Sequence, residues 1–446
     1  MKKSVSLRDS FSSKWGFILA CIGSAVGMGN IWLFPRRIDA FGAPFLVAYV
    51  LCVVLLGFAG SVGEMAFGRA MKTGPMGAFE KATESAGAGK TLGSVLSMIP
   101  VLGSFALAIG YSVVVGWILK CMVTSITGSL YKEADYFTHF ITMASEHNIV
   151  WWHIAALVIC FAIVIFGISS GIEKVNKVFM PLFFVLFIVI AIYVSTISGA
   201  IDGYKHMFVV SDWGKLFDPS MWKYALGQAF FSLSLAGGGT LVYGSYLKDD
   251  ENIPSCAMTV AVFDTLAAFV ASLAIIPAVY AFGINTNSSG MGGPGLLFIS
   301  LPEVFKSMPM GNIVMIIFFV AVFFAGITSL VNLFEAPIEA LQTKFKLSRI
   351  PSVAIVAVIG TVIAVLIEAI VSDWMDICSI YICPIGALLA AVMFFWVCKK
   401  DFTVAAINKG SRKQLGNLLY NAGKYVFCIV TVLVLILGAT TSGGIG

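Results

Sequence analysis

Apolar runs follow one another along almost the whole chain, each about as long as a helix that crosses a bilayer. Eleven such runs predict helices near residues 15–37, 43–70, 94–126, 150–169, 176–198, 221–245, 254–282, 311–341, 351–371, 376–398 and 424–440. The polar segments between them are too short to fold as separate domains, so residues 1–446 are interpreted as one membrane domain. The pattern predicts an all-α, multi-pass membrane protein in contact with the lipid bilayer.

Glycine interrupts two of these runs near their middle. Gly-Ser-Ala-Val-Gly-Met-Gly-Asn occupies residues 23–30, and Ser-Leu-Ser-Leu-Ala-Gly-Gly-Gly occupies residues 232–239. Each glycine costs a helix interior about 1 kcal/mol, so both helices are expected to unwind. Unwound backbone is tolerated at membrane depth only where it lines a cavity inside the protein. Two breaks in corresponding positions of two halves indicate the substrate site of a secondary transporter.

The breaks open two predicted five-helix units, over about 15–198 and 221–398, with an extra helix over about 424–440. Because five is odd, the second unit enters the membrane from the opposite side, which predicts an inverted repeat with helices 1 and 6 broken. The glycine-rich connection 283–310 leaves two interpretations open, a lid or a flexible surface loop.

Composition and charge agree with this class. Only 11% of the residues are charged and the mean hydropathy is +0.96, whereas soluble domains carry about 25% charged residues. Of the 28 Lys and Arg, 20 are cytoplasmic if the N-terminus is cytoplasmic, so we expect that orientation in the cell membrane, with the C-terminus outside. The net charge of +5 reflects this bias and does not indicate a nucleic-acid partner. We expect a monomer or a weak dimer.

Enzyme and metal-site patterns are absent from the sequence. The nine cysteines lie almost entirely in apolar spans, without a CxxC pair or a Cys/His cluster, so neither a metal site nor a disulfide framework is expected. An intramembrane hydrolase would need a nucleophile–base pair, but the four histidines lie in or beside predicted outer loops. No catalytic residue is predicted. A channel is harder to exclude than a hydrolase, because broken helices and mid-membrane oxygens also suit ion conduction.

Three carboxylates lie inside apolar spans, where ionisable groups are costly and are functional candidates. Asp264 has no basic neighbour in its span, so we expect it to be protonated or to face a cation. Glu64 is expected to accept N–H groups of an unwound helix, and Glu335 is the third candidate. The Thr328 and Ser329 hydroxyls are ligands that a hard cation such as Na⁺ needs, although such hydroxyls often bond their own i−4 carbonyls.

Four motifs then occur in order: Gly23-x-Ala25-Val26-Gly27-x-Gly29-Asn30 with Phe34-Pro35, Glu64-x-x-x-Gly68-Arg69, Gly227-Gln228-x-Phe230-Phe231-Ser232-Leu233-Ser234, and Ala325-Gly326-x-Thr328-Ser329. On these residues, and over about residues 8–440, the chain resembles the neurotransmitter:sodium symporters, particularly bacterial amino-acid members related to the bacterial leucine transporter. The resemblance implies the leucine-transporter fold and Na⁺-coupled import of a neutral amino acid by alternating access.

The resemblance also implies a set of binding residues and two bound Na⁺ ions. The first sodium site would use Ala25, Asn30, Ser232 and Asp264 together with the substrate carboxylate. The second would use Gly23, Val26, Ala325, Thr328 and Ser329. The substrate itself would be bound by Ala25, Met28, Gly29, Leu107, Tyr111, Phe231, Ser232, Ser234, Gly237, Ser329 and Leu333.

Two departures from the family pattern bear on the ions and the substrate. The family usually has Asn where this chain has Asp264. Two Na⁺ ions and a zwitterion carry a net charge of about +2, which a medium of low dielectric constant disfavours unless a negative charge offsets it. The fixed negative charge of Asp264 therefore predicts transport without Cl⁻. The leucine transporter has a bulky aromatic residue where this chain is expected to place Gly237. The freed volume predicts a larger substrate, such as Tyr, Trp or Phe. A broad-specificity solute transporter remains an alternative.

Two further departures concern the gates. The family Arg that precedes Phe-Pro is Leu33 here, so Arg36 or Arg37 is the candidate partner of Asp376 at the outer gate. Arg8 matches the inner gate Arg, but the position of its acidic partner is Thr343.

Overall fold

The computed structural model describes residues 10–145, 147–284, 286 and 291–440. These residues form helices joined by short turns, and no strand occurs among them. Arg8 and the C-terminal residues 442–446, both of which entered the sequence predictions, lie outside the described residues.

The helices before the second glycine-rich break are, in chain order, α1 (Lys14–Ala25), α2 (Gly29–Phe41), α3 (Ala43–Met71), α4 (Pro75–Ser85), α5 (Lys90–Ile126), α6 (Tyr136–Ala144), α7 (Val150–Ile165), α8 (Ile168–Ser195), α9 (Ala200–Phe208) and α10 (Pro219–Ser232). Their starts follow ordinary capping chemistry. The Asp135 carboxylate accepts the N–H groups of Phe137 and Thr138 at the start of α6. Pro75 and Pro219 occupy the first positions of α4 and α10.

The helices after that break are α11 (Gly239–Ser245), α12 (Ile253–Phe282), α13 (292–307), α14 (Gly311–Phe345), α15 (Arg349–Leu366), α16 (Glu368–Val397), α17 (Lys400–Asn408) and α18 (Gly416–Ala439). The Asn252 side chain caps α12 through the Ser255 N–H, and Gly283 ends that helix in the left-handed region at φ +62°.

Eight helices in the described part of the chain are long and apolar enough to cross a membrane, and α1 with α2 makes a further span bent by 55°. The other two predicted spans correspond to α7, of 16 residues, and to the pair α10 and α11, of 14 and 7 residues. These elements are shorter than the roughly 20 residues of a standard span, so the count of eleven stays a prediction.

The two broken helices are held against intact ones. Helix α1 packs against α8, α12 and α14, and α11 packs against α3. The second contact is close, because a Cβ atom at Gly68 would lie 2.0 Å from the Leu241 carbonyl oxygen. Small residues at crossings are the usual way in which membrane helices approach one another.

The connection 283–310 is not a surface loop over its second part. Helix α13 is largely buried, and a Cβ at Gly293 would lie 2.7 Å from the Trp32 ring of α2. Residues 285 and 287–290 of the connection lie outside the described residues. Over 292–307 the structure therefore excludes the flexible-loop interpretation.

Candidate functional site: two helix breaks beside a cavity

The first break separates α1 from α2 between Ala25 and Gly29. Its backbone groups are bonded by side chains. The Gly27 N–H donates to Asn30 Oδ1 at 3.0 Å, and the Met28 N–H donates to the Tyr111 hydroxyl at 3.3 Å. Tyr111 comes from α5, so this partner lies 83 residues away in sequence. The break is thus stabilised by tertiary contacts as well as by its own residues.

A buried polar cluster joins α2, α10 and α12. Asn30 Nδ2 donates to Asp264 Oδ1 at 2.8 Å, and Ser232 Oγ donates to Asp264 Oδ2 at 2.7 Å. Tyr49 of α3 donates to the same carboxylate at 3.4 Å. None of these partners is basic, so the carboxylate is surrounded by neutral oxygen and nitrogen atoms. Such a cluster has the oxygen ligands and the negative charge that a hard cation needs.

A second group of oxygens lies where α14 meets the end of α1. Ser329 Oγ donates to the carbonyls of Gly23 and Val26 at 3.2 and 3.0 Å. Thr328 Oγ1 instead back-bonds to the Phe324 and Ala325 carbonyls of its own helix, at 2.9 and 3.1 Å. The structure therefore brings together the Gly23, Val26, Ala325, Thr328 and Ser329 oxygens that the resemblance implied.

Asn176 of α8 is an unforeseen neighbour of this second group. A Cβ on Gly23 would lie 1.8 Å from Asn176 Oδ1 and 3.1 Å from Thr328 Cβ. A residue with a side chain could not replace Gly23 without displacing Asn176. No signal in the sequence pointed to Asn176, because it lies in an ordinary helical stretch more than a hundred residues from both neighbours.

A cavity of about 350 Å³ lies beside both breaks. Most of the predicted substrate residues border it, namely Ala25, Met28, Gly29, Leu107, Tyr111, Phe231, Ser234, Ser329 and Leu333. Ser232 does not, because its hydroxyl bonds Asp264 and the residue is only 1% exposed. The other walls come mainly from apolar side chains of α5, α10 and α16.

The predicted position of Gly237 in the pocket is wrong. Gly237 does not border the cavity, and its place there is taken by Leu235 and Ala236. It adopts φ +68° and donates its N–H to Glu64 Oε1 at 2.8 Å. A Cβ would lie 2.3 Å from the Gly386 carbonyl oxygen of α16. Gly237 thus serves the backbone of the break, and the prediction that it frees pocket volume for a larger substrate does not hold.

The other two candidate carboxylates have structural partners away from the cavity. Glu64 accepts a freed backbone N–H of the second break, as expected from the sequence. Glu335 forms a bidentate ion pair with Arg349, at 3.0 and 2.7 Å, and accepts the Tyr246 hydroxyl at 3.0 Å. Glu335 therefore ties α14 to α15 and to the residue after α11.

Of the two candidate gate arginines, only Arg36 borders the cavity, together with Asp376 of α16. Arg37 stacks on Tyr224, with its guanidinium carbon 3.5 Å from the ring centre. Arg36 is therefore the better placed of the two to face Asp376.

One histidine does have a nucleophile-like neighbour, contrary to the sequence expectation. His153 is fully buried, with Nε2 2.8 Å from Ser112 Oγ and Nδ1 2.7 Å from Glu368 Oε1. This arrangement resembles a Ser–His–acid triad. However, Ser112 is also buried and donates to the Ile109 carbonyl at 2.6 Å, and none of the three residues borders the cavity. A nucleophile needs access to substrate, so the cluster is a helix-to-helix link.

Comparison with known proteins identifies the class. Residues 8–138 and 131–437 match the sodium:neurotransmitter symporter family. The uncharacterised sodium-dependent transporter YhdH of Bacillus subtilis is 37% identical over 331 residues, covering 73% of this chain and 70% of that protein. An uncharacterised sodium-dependent transporter of Methanocaldococcus jannaschii is 29% identical over 439 residues, covering 92% and 86%.

A solved structure shares the fold. MhsT in complex with L-phenylalanine superposes with a TM-score of 0.85 at 33% identity, covering 96% of this chain and 99% of that one. The chain therefore belongs to the sodium:neurotransmitter symporter family. It is a sodium-dependent multi-pass membrane transporter with the leucine-transporter fold, and its family is not enzymatic. The predicted fold class and family are confirmed, whereas the repeat boundaries stay a prediction.

Proposed function

We propose that this protein imports a neutral amino acid with a large hydrophobic or aromatic side chain, coupled to Na⁺ by alternating access. The observation that carries the proposal is the position of the cavity between two groups of buried oxygens. Gly29 and Phe231, which border the cavity, are the chain neighbours of Asn30 and Ser232 in one group, and Ser329 belongs to the other group while bordering the cavity as well. Bound ions and bound substrate would then stabilise the same arrangement of the first break.

Two Na⁺ ions fit these oxygens. One would lie among Ala25, Asn30, Ser232 and Asp264, and would also contact the substrate carboxylate. The other would lie among the Gly23, Val26, Ala325, Thr328 and Ser329 oxygens, with the hydroxyls turning their lone pairs toward it. The negative charge of Asp264 offsets part of the double positive charge in a medium of low dielectric constant. Transport is therefore expected to proceed without Cl⁻.

The substrate would place its carboxylate at the Met28 and Gly29 N–H groups and at the Tyr111 hydroxyl. Its ammonium would face the carbonyls of Ala25 and Phe231. The side chain would extend among Leu107, Phe231 and Leu333, which border the cavity. With Gly237 removed from the pocket, the preference for a large side chain rests on the cavity of about 350 Å³, which lies in the range of small-molecule sites. The phenylalanine bound by MhsT agrees with it.

From the sequence alone we further propose a cytoplasmic N-terminus in the cell membrane and a monomer or weak dimer. A channel or a broad-specificity transporter is the competing function. Coupled transport moves substrate and Na⁺ in fixed proportion, whereas conduction does not.

Uptake into proteoliposomes tests the proposal. Radiolabelled Phe, Leu and Trp should accumulate with Na⁺, should fail to accumulate when K⁺ replaces Na⁺, and should be unaffected when gluconate replaces Cl⁻. Asp264→Asn should weaken Na⁺ binding, so that half-maximal uptake needs a higher Na⁺ concentration, or create a Cl⁻ requirement. Asp401→Asn is the matched control, because Asp401 is exposed in α17. Equal uptake in K⁺ would reject Na⁺ coupling, and a Cl⁻ requirement in the wild type would reject the role of Asp264.

A further inference from the structure

Asn332 is a polar residue at the cavity that has no role in the substrate and ion binding proposed above. Asn332 lies on α14 three residues after Ser329, so it is about 4.5 Å further along the helix axis. It borders the cavity and is only 2% exposed. Its Nδ2 atom is buried and has no hydrogen-bond partner among the described residues.

The surroundings of Asn332 are close-packed. A Cβ at Gly239 would lie 1.8 Å from Asn332 Oδ1 and 3.2 Å from Nδ2. The glycine at the start of α11 therefore makes room for this amide. The Ser104 hydroxyl donates to the Leu333 carbonyl at 3.0 Å and does not bond the Asn332 amide nitrogen. The remaining wall at this end, with Leu107, Ala236 and Leu333, is apolar.

A buried amide without a partner is costly, and a ligand that supplies the partner recovers that cost. A phenolic hydroxyl can supply the missing partner, because its oxygen accepts a hydrogen bond from an amide N–H such as that of Asn332. The polar atom must also lie at the far end of the substrate, since the carboxylate and ammonium occupy the first break.

We propose that Asn332 is a specificity-determining residue that hydrogen-bonds the polar end of an aromatic substrate side chain, so that tyrosine binds more tightly than phenylalanine. This inference rests on the proposed function. One net hydrogen bond corresponds to about a three- to ten-fold difference in affinity. A purely structural Asn332, which only packs against Gly239, would affect both amino acids equally.

The test is competition against a radiolabelled amino acid in Na⁺ by Tyr, Phe and 4-fluorophenylalanine. The fluoro compound adds a substituent at the position of the hydroxyl, but carbon-bound fluorine is a far weaker hydrogen-bond acceptor than a hydroxyl oxygen. In the wild type, Tyr should bind about three- to ten-fold more tightly than both other compounds. Asn332→Leu, which keeps the branched shape without polar atoms, should abolish this difference. Asn312→Leu makes the same change on an exposed position of the same helix and should preserve it.

The outcomes separate the two proposals. Absence of Na⁺-dependent binding by every amino acid would reject the proposed function. Binding of Phe at least as tightly as Tyr by the wild type would overturn the role of Asn332 alone. An unchanged ratio in Asn332→Leu would do the same. The wild-type series needs no variant, so it can overturn the proposal even if Asn332→Leu fails to fold.

Discussion

The two helix breaks of this transporter contain similar glycine-rich sequences but are filled by different groups. In the first, side chains occupy the space that glycine leaves. A Cβ at Gly27 would lie 2.8 Å from the Tyr111 hydroxyl and 2.9 Å from Ser329 Oγ. Glycine there allows oxygen atoms to approach the unwound backbone, which is what ion and substrate binding require.

In the second break, the backbone itself and one carboxylate occupy the space. Gly237 has φ +68° and lies against the Gly386 carbonyl, while Glu64 holds its N–H. Ser234 adopts φ +53° and donates to the Ser24 carbonyl at 2.8 Å, which links the second break to the first. Glycine here provides a left-handed conformation and a close backbone contact. The backbone of the first break is thus approached by side-chain oxygens, whereas Gly237 of the second break is fixed by a backbone carbonyl and by Glu64.

The largest effect is expected from Gly237→Ala. The added methyl meets a backbone oxygen at 2.3 Å that cannot move independently of α16. Leu and Trp should therefore lose affinity in parallel, by about a hundred-fold or more, as is typical of a clash of several kcal/mol. Equilibrium competition binding measures both.

Gly283→Ala is the control for Gly237→Ala. Gly283 has a similar φ of +62°, but a Cβ there meets nothing within 4 Å. Binding by this variant should stay near that of the wild type. If Gly237→Ala lost Trp binding but retained Leu binding, the result would indicate that Gly237 borders the substrate pocket after all.

Glu64 gives the next largest effect. Glu64→Leu leaves the Gly237 N–H without its acceptor, and an orphaned buried donor costs about 1–3 kcal/mol. We expect all substrates to weaken by about ten- to a hundred-fold. Glu64→Gln retains an oxygen acceptor and should lose less. Equal losses in the two variants would show that charge, and not the hydrogen bond, is what the second break needs.

Ser329→Ala tests the role of the first break. It removes the hydroxyl that bridges the Gly23 and Val26 carbonyls, so the Na⁺ concentration for half-maximal binding should rise about ten-fold. The matched control is Ser272→Ala in α12, whose hydroxyl only back-bonds to the Ala268 carbonyl. An unchanged Na⁺ dependence in Ser329→Ala would argue against the second sodium site.

The smallest effect, on thermal stability, is expected from Asp249→Asn. Asp249 follows α11, and the Nζ atoms of Lys72 and Lys409 each lie 2.6 Å from one of its carboxylate oxygens. Their hydrogen bonds lower the pKa of Asp249 to about 2. Because the folded pKa is depressed, the stabilisation is complete above the ordinary Asp pKa of about 3.9 and is lost as the pH falls through about 2.

Asp249 is half exposed, so the contribution of this cluster should stay below about 1 kcal/mol. Thermal unfolding of Asp249→Asn in detergent should differ little from that of the wild type at pH 7. The difference should shrink further toward pH 3. A large loss at pH 7 would mean that this surface cluster also supports the second break.

The sequence alone indicated the long apolar helices and the first break. Long apolar runs specify membrane helices because the bilayer has no water for unpaired backbone groups. Asn30 lies three residues from Gly27, so its contact within the first break is local. The hydroxyls of Thr328 and Ser329 and the carboxylate of Asp264 could be recognised because polar groups are rare in apolar spans.

Only the tertiary structure decided what each residue of the second break contacts. Gly237 meets Gly386, and Asn332 meets Gly239, across separations in sequence that no periodicity describes. Ala236 borders the cavity, whereas the next residue, Gly237, lies against the backbone of Gly386. Helical periodicity cannot fix that path, because the segment 233–238 has no regular conformation. Its course is set by the helices that pack around it.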